Sequence, residues 1–126
     1  MNISIVDDDD FYGSLIKERL SFENHINVNL HPTAAKFLTD LTSKPDVAII
    51  DYSLPDMNGV QILGVLKQYY QNVFTIILSS DRELKQTFST HGYHPDAYIV
   101  KDENAVSNLM ESLSIYSINL IRSKRA

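Results

Sequence analysis

What most narrows the fold of this chain is a repeated alternation: a short apolar run, then a longer stretch whose apolar residues recur at helical spacing. Ile3 to Val6 reads as a strand, and Phe11, Leu15, Ile16 and Leu20 follow as one face of a helix. Ile26, Val28 and Leu30 alternate with polar residues, as a half-buried strand does. Thr33 is placed to cap a helix carrying Ala34, Phe37, Leu38 and Leu41. Val47 to Ile50 is continuously apolar and rich in β-branched residues, which suits a strand covered on both faces. Asn58 can cap a helix presenting Ile62, Leu63, Leu66 and Tyr70, in which Gly64 costs about 1 kcal/mol relative to Ala. Val73 to Leu78 reads as a fourth strand, Arg82 to Thr90 as a short helix and Ala97 to Val100 as a fifth strand. Asp102 can cap a last helix with Val106, Leu109, Met110, Leu113, Tyr116 and Leu120 on one side.

Strands alternating with helices in this way build βαβ units, hence an α/β fold with a parallel sheet covered on both faces. The 126 residues suit one domain over 1–122, with 123–126 as a tail or the start of a linker. Arg122, Lys124 and Arg125 there complement a helix C-terminus. Cysteine is absent, which excludes disulfides and thiol catalysis. The formal charge of -5 argues against direct nucleic-acid binding. Neither a membrane-length apolar run nor a signal peptide is evident, so a cytoplasmic protein without a membrane segment is expected.

Ligands of open α/β sheets bind beyond the carboxyl ends of the strands, so residues just after each strand should converge. They are Asp7, Asp8, Asp9 and Asp10 after the first, Asp51 after the third, Ser79 and Ser80 after the fourth, and Lys101 after the fifth. The second strand ends without an obvious catalytic group. Two carboxylates about 4 Å apart repel by roughly 4 kcal/mol at an effective dielectric near 20. Asp7, Asp8 and Asp51 together therefore need more positive charge than Lys101 supplies, and Mg2+, a hard cation that takes oxygen ligands, meets that need. This points to a magnesium site receiving a phosphoryl group, with Asp51 as nucleophile, Lys101 neutralising developing charge and Ser79 bonding a phosphoryl oxygen. Taken singly, each feature has a plainer reading. A run of four Asp is commonly a solvated turn, a lone Asp after an apolar run a cap, and a strand-end Lys a solvent-facing residue.

The ordered set of residues resembles the receiver-domain family of two-component response regulators. Ile5-Val6-Asp7-Asp8-Asp9 looks like that family's first strand and acidic pair. Asp51 through Leu54-Pro55 to Gly59 looks like its phosphoacceptor loop, Leu78-Ser79 like its strand-end hydroxyl, and Tyr98 before Lys101 like its aromatic switch. The resemblance spans nearly the whole chain. It implies a flavodoxin-like (βα)5 doubly wound sheet in the order 2-1-3-4-5. It implies Mg2+ held by Asp8 and Asp51, by Asp7 directly or through water, and by the backbone carbonyl of Ser53. The implied phosphodonor is a sensor histidine kinase or a histidine phosphotransfer protein. The only catalysis implied is self-directed phosphorylation of Asp51 and slow hydrolysis, not turnover of a separate substrate. The resemblance also implies a switch through Ser79 and Tyr98, and a face for homodimers formed by the fourth helix, fifth strand and fifth helix. The plainer reading of Tyr98 is a half-buried strand aromatic.

The chain departs from the family where Asp102 follows Lys101 in place of the common proline, which puts a cis peptide there in question. Asp81 adds negative charge near the mouth of the site. Asp56, Met57 and the pair Tyr69-Tyr70 read as packing or solvated loop, and His91 with His94 lack a third metal ligand. Two rivals remain: a receiver-like interaction module that never carries phosphate, and a phosphatase of the haloacid-dehalogenase type with Asp7 as nucleophile. The second leaves Asp51 and Leu54-Pro55 unexplained.

Overall fold

A computed structural model of the chain describes residues 1–23, 25–83 and 92–125. Strands β1 (Asn2–Val6), β2 (Asn27–His31), β3 (Val47–Asp51), β4 (Phe74–Ser79) and β5 (Ala97–Val100) form one sheet. Its order is β2-β1-β3-β4-β5, and every pairing is parallel. The described helices are α1 (Asp10–Leu20), α2 (Ala34–Thr39), which continues into a 3-10 turn at Asp40–Ser43, α3 (Gly59–Tyr69) and α4 (Ala105–Arg125). This is the doubly wound α/β architecture expected. The short helix expected near Arg82 to Thr90 lies mostly outside the described residues, with Arg82 and Glu83 in a turn.

The strands sort their side chains by parity, because successive residues of a strand point to opposite faces. Ile3, Ile5, Val47, Ile49, Ile76 and Leu78 pack with Ile16 and Leu20 of α1 and Leu109 and Leu113 of α4. Val6, Ala48, Ile50 and Ile77 pack on the other face with Phe37 of α2 and Ile62, Leu63 and Leu66 of α3. Every residue of β3 is buried, as its uninterrupted apolar run requires. Caps set where the helices begin. Thr33 accepts from the Lys36 N–H, and Asn58 forms a reciprocal capping box with Gln61.

Three expectations need correction. Phe11 is 79% exposed and Leu15 37% exposed, although their spacing sets them on one helix face with the buried Ile16 and Leu20. Asp9 caps that helix, and the phase it sets turns Gly13, Ile16 and Leu20 inward instead. Leu30 is 39% exposed, because β2 is an edge strand with cover on only part of its length. Asp102 does not cap α4 directly. Its carboxylate accepts from the Asn104 N–H in the turn before the helix, which starts at Ala105. The peptide after Lys101 is trans, as are all those of the described residues.

Candidate functional site

The four consecutive aspartates after β1 have four different environments. Asp7 is buried: its Oδ1 accepts from the Asp9 N–H at 2.9 Å and its Oδ2 from Lys101 Nζ at 3.1 Å. Asp8 is exposed. Asp9 caps α1 by accepting from the Tyr12 N–H, and Asp10 is the first helical residue. The plain reading of the run as a solvated turn therefore fails at its first member.

Asp51 closes β3, and β3 lies beside β1 in the sheet. This adjacency brings Asp7, Asp8 and Asp51 together, each with a carboxylate oxygen within 4.8 Å of the others. Lys101, just past β5, reaches across β4 to them, with Nζ 3.4 Å from Asp51 Oδ1. Burial pushes the Asp51 carboxyl up to about 6; Lys101 opposes this rise and Asp7 adds to it. A hydrogen bond from the Ser53 backbone also holds the charged form of Asp51. For Lys101, burial favours the neutral amine, but Asp51 and Asp7 together outweigh it and raise its pKa. Among the described residues three carboxylates face one ammonium here, so the cluster they form is short of positive charge. The donor set is all oxygen, compact and partly open through exposed Asp8, and it suits a hard divalent cation.

Ser79 ends β4 and is buried. Its Oγ accepts from the Asp81 N–H at 3.0 Å. Tyr98 of β5 donates its hydroxyl to the Asp81 carbonyl at 2.7 Å and also contacts the Ser79 hydroxyl. Burial raises the Tyr98 phenol, and the Ser79 contact works against that. Ser79, Asp81 and Tyr98 thus form one hydrogen-bonded unit at the strand ends. Ser80 faces solvent.

Sequence reasoning missed two residues. Tyr12 lies under the Lys101 ammonium, 4.6 Å from ring centroid to Nζ, which fixes the amine above the acids. Its place in the first turn of α1 was the available signal. Asp56, read as loop, accepts from the N–H groups of Ala34 and Ala35 at 3.1 and 2.9 Å. It ties the loop after Asp51 to the start of α2, and those backbone bonds lower its pKa. His31, at the end of β2, is buried with Nδ1 3.3 Å from Asp40 Oδ2, an ion-pair distance without hydrogen-bond alignment. His94 is exposed, and His91 lies outside the described residues.

Against known proteins, residues 3–114 match the family model described as the response regulator receiver domain. The response regulator ArlR of Staphylococcus epidermidis is 32% identical over 101 residues, covering 79% of this chain and 45% of that protein. The transcriptional regulatory protein DegU of Brevibacillus brevis is 27% identical over 119 residues, covering 91% and 49%. The chain thus spans about half the length of these curated relatives. A CheY-like receiver domain protein from Methanospirillum hungatei JF-1 superposes with a TM-score of 0.84 at 26% identity, covering 97% of each chain. Asp51, Lys101 and the acidic pair lie at the strand ends of the fold that these matches share. The phosphatase reading centred on Asp7 is not favoured by them. Among the described residues no helix is long and apolar enough to cross a membrane.

Proposed function

The chain belongs to the response regulator receiver family, and from that premise we infer that it accepts a phosphoryl group on Asp51 with Mg2+ bound beside it. The observation that carries the reading is the meeting of Asp7, Asp8 and Asp51 with Lys101 at 3.1 and 3.4 Å. A carboxylate oxygen of Asp51 attacks the phosphorus of a phosphohistidine donor. The new P–O bond forms as the P–N bond breaks, and the departing imidazole takes up a proton from water. Lys101 holds positive charge beside the phosphoryl oxygens, and Tyr12 fixes its amine there. The carboxylates of Asp7, Asp8 and Asp51 and the backbone carbonyl of Ser53 would hold Mg2+, which when bound neutralises phosphoryl charge. Slow hydrolysis by water returns the free carboxylate, and no separate substrate is turned over.

The donor would be a sensor histidine kinase or a histidine phosphotransfer protein, in the cytoplasm, with residues 1–122 as the receiver domain and 123–126 as a tail or linker. Output would run through Ser79 and Tyr98. A phosphoryl oxygen competes with the Tyr98 oxygen for the Ser79 O–H and draws Ser79 away from the Asp81 N–H that donates to it, and Tyr98 moves into the space that Ser79 leaves. The homodimer face built on the fourth helix of the family rests in part on residues outside those described. No direct contact with nucleic acid by this chain is part of the reading.

The test is intact mass after incubation with Mg2+ and a small acyl or amido phosphodonor. One phosphoryl group should be gained by wild type, not without Mg2+, and not by Asp51→Ala. An adduct that persists in Asp51→Ala would move the nucleophile to another residue. No adduct with any donor, including a phosphorylated histidine phosphotransfer protein, would leave the module that never carries phosphate.

A further inference from the structure

The loop between β3 and α3 is closed at its base and fastened at its tip. The Gly59 N–H donates to the Tyr52 carbonyl at 3.0 Å, and Ser53 pairs with Asn58 as an isolated antiparallel bridge. Leu54 and Met57, on either side of Pro55 and Asp56, are partly buried and pack on the cluster that holds Phe37 of α2 and Ile62 of α3. A loop cross-linked and seated in this way moves as one piece rather than residue by residue. One limb of it serves the site, where the Ser53 backbone hydrogen-bonds the Asp51 carboxylate. The tip reaches α2, where Asp56 accepts from the Ala34 N–H at 3.1 Å and from the Ala35 N–H at 2.9 Å.

A carboxylate at a helix start is commonly a cap and nothing more. This helix, however, has its own cap: Thr33 accepts from the Lys36 N–H, and the first bond within the helix runs from the Phe37 N–H to the Thr33 carbonyl. Asp56 is added to that local cap from 21 and 22 positions away, and it is carried by the same closed loop that presents Ser53 beside Asp51. We propose that Asp56 is a positioning residue for Mg2+: by fastening the closed loop to the first turn of α2, it holds the Ser53 backbone where the metal site uses it. The inference rests on the reading that Asp51 and the Ser53 carbonyl hold Mg2+. Groups that stand behind a metal's ligands set its affinity by fixing their orientation. The fastened loop and the metal-bound loop share one position, so releasing the tip costs Mg2+ affinity even though Asp56 lies outside the ligand set.

Isothermal titration calorimetry of the full chain with Mg2+ tests it, alongside thermal melts of the same samples. Asp56→Ala should weaken Mg2+ binding by about fivefold or more. Asp56→Asn loses the same charge but keeps an acceptor oxygen for a helix N–H, so it should bind Mg2+ more tightly than Asp56→Ala does. Thr33→Ala removes the local cap at the same helix end. It should lower the melting temperature and leave Mg2+ affinity nearly unchanged. An Asp56→Ala that binds Mg2+ as tightly as wild type overturns the proposal. An Asp56→Asn no better than Asp56→Ala also overturns it, because the loss is then one of charge. So does an equal loss in Thr33→Ala, because the loss then belongs to the helix. A wild type that binds no Mg2+, or an affinity untouched by Asp51→Ala, overturns the metal reading itself and this inference with it.

Discussion

Lys101 and Asp7 stand 94 positions apart in the chain and meet at 3.1 Å between Nζ and Oδ2. The same ammonium lies 3.4 Å from Asp51 Oδ1 and over the Tyr12 ring. One cation thus serves two buried acids. That arrangement leaves the site under-neutralised, and the consequences can be measured.

Asp51 lowers the stability of the metal-free fold at neutral pH. Its carboxyl is pushed from 3.8 up to about 6 by burial, so the folded chain binds this proton more tightly than the unfolded chain does. Stability from this group is therefore gained as pH falls through about 6 toward 3.8 and is missing at pH 7. Asp51→Asn should stabilise the chain at pH 7 without divalent ions by roughly 1 to 3 kcal/mol, discounted for solvent screening. Thermal melts should show the gap from wild type closing as pH drops toward 4. A variant that melts at or below wild type at pH 7 would contradict this.

Mg2+ should raise the melting temperature of the wild type, because only the folded chain assembles the carboxylate cluster. Saturation at a hundredfold excess over Kd corresponds to about 2.7 kcal/mol. Asp8→Asn should remove most of that shift yet leave the metal-free melt nearly unchanged, since Asp8 is exposed. Melts with and without Mg2+ decide it, and an undiminished shift in the variant would remove Asp8 from the ligand set.

Two glycines of α3 should respond in opposite directions to alanine. A Cβ on Gly59 would sit 3.0 Å from Tyr52 Cδ2 and 3.3 Å from Tyr52 Cα, against the loop that follows Asp51. Gly59→Ala should cost about 1 to 3 kcal/mol. On Gly64 a Cβ meets, among the described residues, only the Tyr93 ring, at 3.6 Å, so Gly64→Ala should stabilise by about 0.5 to 1 kcal/mol through helix propensity. Denaturant titrations of both variants check the contrast.

His31 should make the fold sensitive to mild acid. Burial lowers its pKa from 6.5, with Asp40 opposing, so the unfolded chain takes up this proton more readily. The stability it protects is present above about pH 6.5 and is lost as pH falls from there toward the folded value. A histidine titration followed by NMR should place His31 below the ordinary value. His31→Leu should flatten the fall in stability between pH 6.5 and 5. A His31 that titrates at or above 6.5 would contradict this.

The fold was largely legible because periodicity is local. Val47 to Ile50, with no polar residue, announces a strand covered on both faces, and β3 is buried throughout. Thr33 and Asn58 announce helix starts, and both caps form. Errors arose where an apolar residue had more than one place to go. Phe11 fits the helical period of α1, yet the cap at Asp9 and the close approach of Gly13 to Leu30 decide which stripe meets the sheet. Asp56 looked like an ordinary loop acid, since nothing nearby in the chain shows that Ala34 and Ala35 lie against it.

The sequence by itself determined the order of strands and helices and the residues standing at the strand ends, because spacing and caps act within a few residues. Only the tertiary structure decided that Asp7, Asp8 and Asp51 share one cluster, that Lys101 reaches them over Tyr12, and that Ile115 and Ile118 are left facing outward. The physical reason is the order of strands in the sheet. Placing β1 beside β3 and packing α4 by its Leu109 face sets distances between residues far apart in the chain, and no local pattern encodes them.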